Sequence, residues 1–200
     1  IIMPDERGYE ERVQQLLREL GNVVDVRKRL FSAAACTTIF EYNHGNPEKT
    51  EPAILVAIDN FSEFLETFGN PAGKDDGNSV FGQFIALARQ GKAYGIHFAV
   101  TAPRLNALPT PIYSLFTERL TLRLAEQDDY RAIVGAVQSI DEIPGRGYVR
   151  VGRDPLEFQI AIAAGDRDDA GQIISEARQI RALGAAMQTA AESLVAGRLP

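Results

Sequence analysis

The first regular pattern in the chain is a helical spacing of apolar residues near its start. Four apolar side chains recur at intervals of three and four residues: Val13, Leu16, Leu17 and Leu20. Gly21 follows them, in a position where helices commonly end. The pattern therefore predicts a helix ending near Gly21, a second helix over residues 23–35, and then a surface loop over residues 41–52, which contain Gly, Pro and Asn.

Two short apolar runs occupy the middle of the chain. Residues 53–58 and 95–102 are rich in β-branched residues and do not alternate with polar ones, which is typical of strands buried on both faces of a parallel sheet. Between them, Ser79 can cap a helix that Gly91 ends. The order strand, helix, strand predicts an α/β fold with a largely parallel sheet.

The second half of the chain alternates short elements. Residues 118–125 alternate like a strand, and residues 128–137 resemble a short helix that opens with acidic residues. Residues 147–163 predict a β-hairpin, and residues 168–196 carry two helical stretches. The chain is long enough for one well-buried domain, which is our starting expectation for its 200 residues.

Composition narrows the class of function. The net charge of −6 gives no global basic field, so any contact with nucleic acid has to be local. The single cysteine, Cys36, cannot form an internal disulfide, and no Cys/His cluster has the spacing of a zinc site, which fits a reducing, cytosolic setting. No apolar run approaches the roughly 20 residues that span a bilayer. The chain begins with Ile1 and not Met, so we expect it to be a piece of a longer protein.

Five segments carry a resemblance to a known family. In chain order they are "RKRLFSAAACTTIFEYN", "ILVAIDNF", "LARQGKAYGIHFAVTAPR", "ERLTLRLAEQDDYRAIVG" and "IPGRGYVRVG". Together they resemble the motor domain of the FtsK/SpoIIIE family of P-loop translocases, which includes DNA pumps and the ATPases of type VII secretion. The third segment, a helix followed by a strand, is the most distinctive, and the resemblance runs from Tyr9 to Ile162.

The resemblance implies a RecA-like P-loop NTPase core: a mostly parallel sheet flanked by helices, with a terminal β-hairpin and C-terminal helices. Residues 1–165 would form the motor part and residues 166–200 a C-terminal helical segment. Such domains work as rings, usually hexamers, with ATP and Mg²⁺ between neighbours. The setting implied is the cytoplasmic face of a membrane complex, with any membrane contact made through segments outside this chain.

The phosphate-binding loop that this chemistry needs is not found in the sequence. The nearest match, "GNPAGKDD" from Gly69, is one residue short of the Walker A pattern and has Asp75 where a hydroxyl should be. We interpret it as a polar loop. The core is therefore expected to be incomplete at its N-terminal side, either because the chain is a piece or because the module is degenerate. By itself the chain is predicted to be inactive and not to bind ATP and Mg²⁺ tightly.

The remaining site residues come from the resemblance. Asp59, at the end of the first apolar strand, takes the Walker B position, where a carboxylate holds Mg²⁺ through a bound water; otherwise it is simply the first polar residue after a core strand. Asn60 stands where DNA-pumping members usually carry the Glu that serves as general base. Asparagine cannot take a proton from water at neutral pH, which favours the type VII secretion ATPases. Thr101 occupies a sensor position near the γ-phosphate.

Two arginines are candidates for phosphate contacts. Arg104 matches the residue that follows the sensor strand, and Arg119 is placed to reach a neighbour's ATP. For Arg119 and for Arg123, a surface ion pair is an equal alternative. His97, inside an apolar strand, is interpreted as a core histidine.

Two functions remain open from the sequence. The first is part of an ATP-driven ring translocase that moves DNA or a secreted protein through a central pore. Asn60 and the acidic balance favour protein, and no basic-aromatic stripe supports DNA binding. The alternative is a degenerate, non-hydrolysing ATPase-like module for assembly or substrate docking.

Overall fold

The computed structural model describes residues 1–69, 78–137, 140–151, 154–161 and 175–196. The chain forms two compact units, Ile1–Thr117 and Glu118–Pro200. The predicted boundary at residue 165 lies outside the described residues and stays a prediction.

A single long helix opens the first unit. α1 spans Tyr9–Ala33, so the prediction of a helix end at Gly21 is wrong. The residues that α1 buries continue at helical spacing on both sides of this glycine: Val13, Leu17, Leu20, Val24, Arg27 and Phe31. A glycine inside a helix costs only about 1 kcal/mol relative to alanine, which burial of one further large apolar side chain exceeds.

The predicted loop after α1 contains a short helix. α2 spans Ile39–Gly45, and a 3₁₀ turn at Pro47–Lys49 follows it. The helix begins with a capping box, in which the Thr38 hydroxyl accepts from the Glu41 N–H at 3.2 Å and the Glu41 carboxylate accepts from the Thr38 N–H at 3.2 Å. These bonds satisfy orphan amides of the first turn, which explains why a helix forms in a Gly-, Pro- and Asn-containing segment.

The cap makes the start of α2 sensitive to acid. The Thr37 N–H and hydroxyl and the Thr38 N–H all donate to the Glu41 carboxylate, and this lowers its pKa. The charged Glu41 carboxylate therefore stabilises the start of α2 fully above about pH 4.3, the ordinary glutamate pKa. This stabilisation is lost as the pH falls through the lower pKa of Glu41 in the folded state. We expect amide protection in α2 to drop over that range. In Glu41→Gln, measured by hydrogen exchange at several pH values, this drop should be absent, whereas Glu48→Gln should retain it.

A parallel pair of strands forms the centre of the first unit. β1 spans Ile54–Ile58 and β2 spans Ile96–Val100, paired in parallel from Ile54 opposite Ile96 to Ile58 opposite Val100. Between them the chain forms α3 over Phe61–Phe68 and α4 over Val80–Gln90. As predicted, Ser79 caps α4, with its hydroxyl accepting from the Gly82 N–H at 2.9 Å. The short α5, Thr110–Tyr113, follows β2.

Only one face of this strand pair is packed. Ile54, Val56 and Ile58 contact the hydrophobic core that α1, α3 and α4 share. On the other face, Leu55 is 69% exposed and Ala57 is also exposed. The prediction that these strands are buried on both faces is therefore wrong, because within the described residues helices cover a single face.

The second unit contains an antiparallel sheet. β3 (Leu120–Leu122), β4 (Arg146–Val151) and β5 (Asp154–Gln159) follow one another in space in that order. β4 and β5 form the predicted hairpin, although residues 152 and 153 of its turn lie outside the described residues. α6, Gln127–Ile133, packs on one face through a buried cluster: Tyr130, Val134 and Tyr148.

The last described element is α7, one continuous helix over Glu176–Ala196. Two helical stretches were predicted from residue 168 onward, and the first part of that range lies outside the described residues. From Glu176 onward the stretches are joined, so the prediction of a break between them is wrong. Neither Pro nor a cap residue separates Ile180 from Met187, and the single glycine between them is tolerated as it is in α1.

The predicted α/β class is confirmed, with a smaller parallel part than expected. The described residues form one parallel strand pair and two antiparallel pairs. Among the helices of the described residues, none combines the length and the apolar character needed to cross a bilayer.

Candidate functional site

The carboxyl ends of β1 and β2 bring two predicted site residues together. The Thr101 N–H donates to the Ile58 carbonyl at 3.0 Å, and the Phe61 N–H donates to the Thr101 carbonyl at 2.8 Å. These bonds extend the parallel ladder beyond its last paired residues, so Asp59 and Thr101 leave the sheet side by side. In open α/β sheets this edge is where ligands bind.

The Thr101 hydroxyl is held from two sides. It accepts from the Asn60 N–H at 2.9 Å and donates to Oδ1 of Asp59. A hydroxyl has one proton to donate, and Asp59 receives it. Thr101 therefore orients the carboxylate of Asp59, and in this arrangement it has no second proton for a phosphate oxygen.

Asn60 has a conformational reason to be an asparagine. Its backbone is left-handed, with φ 49° and ψ 65°, and it is the residue from which α3 starts. Asparagine adopts this region more readily than most side chains do, whereas larger residues lose about 1–2 kcal/mol there. The Asn60 side chain is exposed and makes no capping bond to α3. The turn between β1 and α3 thus accounts for this residue without any proton-transfer role.

Asp59 is the carboxylate of this site that could face a metal. It is exposed, and carboxylate oxygens are ligands that suit a hard cation such as Mg²⁺, here held through water. The described residues contain no group of three or more His, Cys, Asp or Glu side chains that could hold an ion directly. The residues present thus fit one outer contact to Mg²⁺, and a nucleotide would have to supply the closer ligands.

The other predicted residues are not part of the contact between Asp59 and Thr101. Arg104 is exposed, three residues beyond Thr101, where its carbonyl accepts from the Ala107 N–H at 3.2 Å. Arg119 belongs to the second unit, where its carbonyl accepts from the Arg150 N–H at 3.4 Å. Arg123 pairs with Glu142, which favours the surface ion pair over a catalytic role for that residue. His97 is half-buried, opposite Leu55 on the less covered face of the strand pair.

A buried arginine that the sequence reasoning missed fixes the start of β1. Arg27, only 3% exposed, donates to the Tyr94 carbonyl at 2.6 Å and to the Pro52 carbonyl at 2.7 Å. It also pairs with the Glu51 carboxylate at 3.1 Å. Asn43 holds the same segment, donating to the Glu51 carbonyl at 2.9 Å and accepting its N–H at 2.8 Å. The cluster ties α1 and α2 to the residues on which β1 and β2 begin.

The sequence held one signal for this cluster. Leu20, Val24 and Phe31 recur at helical spacing, and Arg27 occupies the position between Val24 and Phe31 on that same buried stripe. A charged residue on an apolar stripe needs buried partners. Gly95 is part of the same arrangement, since at its φ of 76° a Cβ would lie 2.3 Å from Cδ1 of Ile39.

Asp59 and Thr101 lie at the carboxyl ends of two parallel strands, which is the edge where open α/β sheets bind their ligands. The FtsK/SpoIIIE family model matches residues 9–152. The chain therefore belongs to the FtsK/SpoIIIE family.

Curated proteins are similar to this chain in sequence, and solved structures are similar to it in fold. The ESX secretion system protein YukB of Bacillus subtilis (strain 168) is 28% identical over 159 residues, which are 79% of this chain and 10% of YukB. A structure of EssC (ATPases 2 and 3) from Geobacillus thermodenitrificans matches 90% of this chain and 33% of its own, with a TM-score of 0.69 and 24% identity. The pCW3 conjugation coupling protein TcpA, solved as a monomer with ATPγS, matches 74% of this chain and 44% of its own, with a TM-score of 0.60 and 22% identity. The chain spans 10% of the length of the curated relatives it matches.

Proposed function

We propose that this chain is part of an ATP-driven translocase with a RecA-like core that moves a polymer through the pore of a ring, usually a hexamer. The observation that carries the proposal is the contact between Asp59 and Thr101 at the carboxyl ends of two parallel strands. It supports a Walker B role for Asp59 because it fixes the carboxylate at the edge where α/β sheets bind nucleotides.

The proposed roles differ from residue to residue. Asp59 holds a water of Mg²⁺, and Thr101 positions Asp59 through its hydroxyl instead of contacting the γ-phosphate. Arg104 contributes positive charge beside them, and Arg119 reaches the ATP of a neighbouring subunit. When bound, ATP and Mg²⁺ would supply the phosphoryl-transfer chemistry.

The proposed cargo is a secreted protein, handled at the cytoplasmic face of a membrane complex. The similarity to YukB, an ESX secretion system protein, supports a protein cargo. The net charge of −6 does so too, since DNA binding draws on Lys and Arg to neutralise phosphates. The similarity to a conjugation coupling protein keeps DNA as the cargo to be tested against it.

One observation favours a second function, a non-hydrolysing module for assembly or substrate docking. Asn60 stands where a general base would be expected, and its left-handed backbone accounts for the residue without catalysis. In this version Asp59 and Thr101 form a structural turn, and the nucleotide binds weakly or not at all.

ATP turnover by the full-length natural protein that contains this chain tests both proposed functions. We expect turnover to rise when a secretion-signal peptide is added and to stay unchanged when linear DNA is added. It should fall sharply in Asp59→Ala. Stimulation by linear DNA alone would reverse the choice of cargo. Equal turnover in Asp59→Ala and the parent protein would favour the docking module. The 200-residue chain by itself is predicted to be inactive, and turnover that Asp59→Ala removes from it would overturn that prediction.

Removing the Thr101 hydroxyl tests its positioning role. Thr101→Val keeps the shape of the side chain but removes the donor to Asp59, and we expect kcat of the intact protein to fall about 10–100-fold, as for other groups that orient a metal-binding carboxylate. Thr101→Ser keeps the hydroxyl and should retain most of the activity. Full activity in Thr101→Val, or a loss in Thr101→Ser as large as that in Thr101→Val, would contradict a positioning role that rests on the hydroxyl.

A further inference from the structure

The three-stranded sheet of the second unit has one covered and one uncovered face. Thr121 and Tyr148 lie on the face that α6 covers and are buried. The pairing of β3, β4 and β5 puts the alternate residues on the opposite face, and all of these large side chains are apolar: Leu120, Leu122, Val149, Leu156 and Phe158, with Ile160 continuing β5. We call these six residues the open sheet face.

The open sheet face is exposed to a degree that is unusual for a packed sheet. Leu120 is 64% exposed, and Leu122, Leu156 and Ile160 are each about half exposed. Contiguous apolar surface of this kind marks an interaction site in a soluble domain.

The same unit carries a helix with a matching apolar stripe. Ile180, Leu183 and Met187 of α7 are spaced by three and four residues and lie on one side of the helix. Each of them is at least half exposed, Met187 to 64%. The other described α7 side chains between residues 177 and 192 are exposed or nearly so. In the structure, therefore, neither the stripe nor the open sheet face buries the other.

The charged residues beside the two surfaces favour one orientation of α7 on the sheet. Asp154 borders the open sheet face, two residues before Leu156 on β5, and Glu118 precedes β3 at the same end. On α7, Arg181 follows Ile180 near the N-terminal end and lies at the side of the apolar stripe. With the N-terminal end of α7 beside Asp154, opposite charges meet at the rim while the apolar residues meet at the centre.

The dimensions of the two surfaces also agree. Ile180 and Met187 are about 10 Å apart along a helix, and Leu156 and Ile160 are about 13 Å apart along a strand. The chain between Gln159 and Glu176 can reach at most roughly 55–60 Å, and β5 is about 20 Å long, so α7 can return to the Asp154 end.

We propose that α7 docks on the open sheet face of its own chain, with Ile180 near Leu156 and Arg181 near Asp154. The structure thus shows the helix undocked, and the docked form buries the exposed apolar residues of both surfaces. The same chain is the favoured occupant because its linkage gives α7 an effective concentration in the millimolar range, well above that of a second copy in dilute solution.

Engineered disulfides in the 200-residue chain test this arrangement. In a Cys36→Ser background, the pair Leu156→Cys and Ile180→Cys is expected to cross-link within one chain under mild oxidation. The matched pair Leu156→Cys and Ala182→Cys, with Ala182 on the opposite side of α7, should form at a rate lower by roughly tenfold or more, because a disulfide needs Cβ atoms about 3.8 Å apart. Leu156, Ile180 and Ala182 are all exposed, so these substitutions leave the core intact.

Each outcome decides the proposal. Fast cross-linking of the Ile180 pair within a monomer supports it. Equal rates for the two pairs, or no cross-link in either, would overturn it, and a cross-link between two chains would assign the helix to a second copy and overturn the same-chain version. The charge reversal Arg181→Glu provides an independent measurement: it should slow cross-linking of the Ile180 pair, and Asp154→Lys added to it should restore the rate. No restoration would contradict the proposed direction of α7.

Discussion

Arg27→Ala is expected to lower the free energy of unfolding of the first unit by about 3 kcal/mol, near the lower end of what the loss of one partner from a buried ion pair costs. Arg27 is 3% exposed and is the donor to Glu51 and to the carbonyls of Pro52 and Tyr94. Its removal leaves those acceptors without their donor in a partly buried place. Glu51 retains some contact with solvent, which is why the larger values are not expected. Urea unfolding followed by circular dichroism measures the change.

Arg18→Ala is the matched control for Arg27→Ala. Arg18 lies on the same helix and is exposed, so its replacement should change the free energy of unfolding by less than about 0.5 kcal/mol. Amide exchange adds a local readout, because loss of Arg27 should increase exchange at the start of β1 more than at the end of α4. A loss for Arg27→Ala no greater than that for Arg18→Ala would show that the buried ion pair does not stabilise the unit.

Phe84→Ala is expected to cost about 4 kcal/mol, the middle of the range for truncating a buried phenylalanine. Phe84 is fully buried on α4, and its ring centroid lies 5.2 Å from that of Phe61, 5.5 Å from that of Phe64 and 5.1 Å from that of Phe98. The side chain therefore joins α3, α4 and β2 at one point. Because whole domains are stable by only about 5–15 kcal/mol, we expect a large shift of the urea midpoint.

Phe40→Ala makes the same chemical change at an exposed position. Phe40 lies on α2 and is 74% exposed, so the expected loss is below about 0.5 kcal/mol. The difference between the two phenylalanines isolates the contribution of burial. Similar losses in the two variants would show that the aromatic cluster around Phe84 is not the centre of the core.

The elements near the site follow from short-range patterns in the sequence. Ser79, placed ahead of an apolar helical spacing, predicts the start of α4, and the cap forms as expected. The run that ends at Asp59 predicts β1, and the run that ends at Thr101 predicts β2, because β-branched side chains pack well on the pleated surface of a strand. The sequence therefore places Asp59 and Thr101 at the ends of two strands of a largely parallel sheet, and the structure shows that these strands are neighbours.

The bonding within the site could not be predicted in the same way. Whether the single Thr101 proton goes to Asp59 or to a phosphate depends on the angle between two strand ends, which no local pattern specifies. The left-handed backbone of Asn60 is also a property of the turn into α3. A residue interpreted as a lost general base is thus equally explained by backbone conformation.

By itself, the sequence determined β1, β2, α4 and the β-hairpin, the family, and the positions of the carboxylate and hydroxyl, because helical and strand spacing and a linear motif order are local properties. Tertiary structure alone decided which faces are covered, as at Leu55, and where the buried charge of Arg27 finds its partners. It also decided that α1 runs through Gly21. These outcomes depend on contacts between residues far apart in the chain, and burial energy and the need to pair buried charges outweigh the local preferences on which sequence patterns rest.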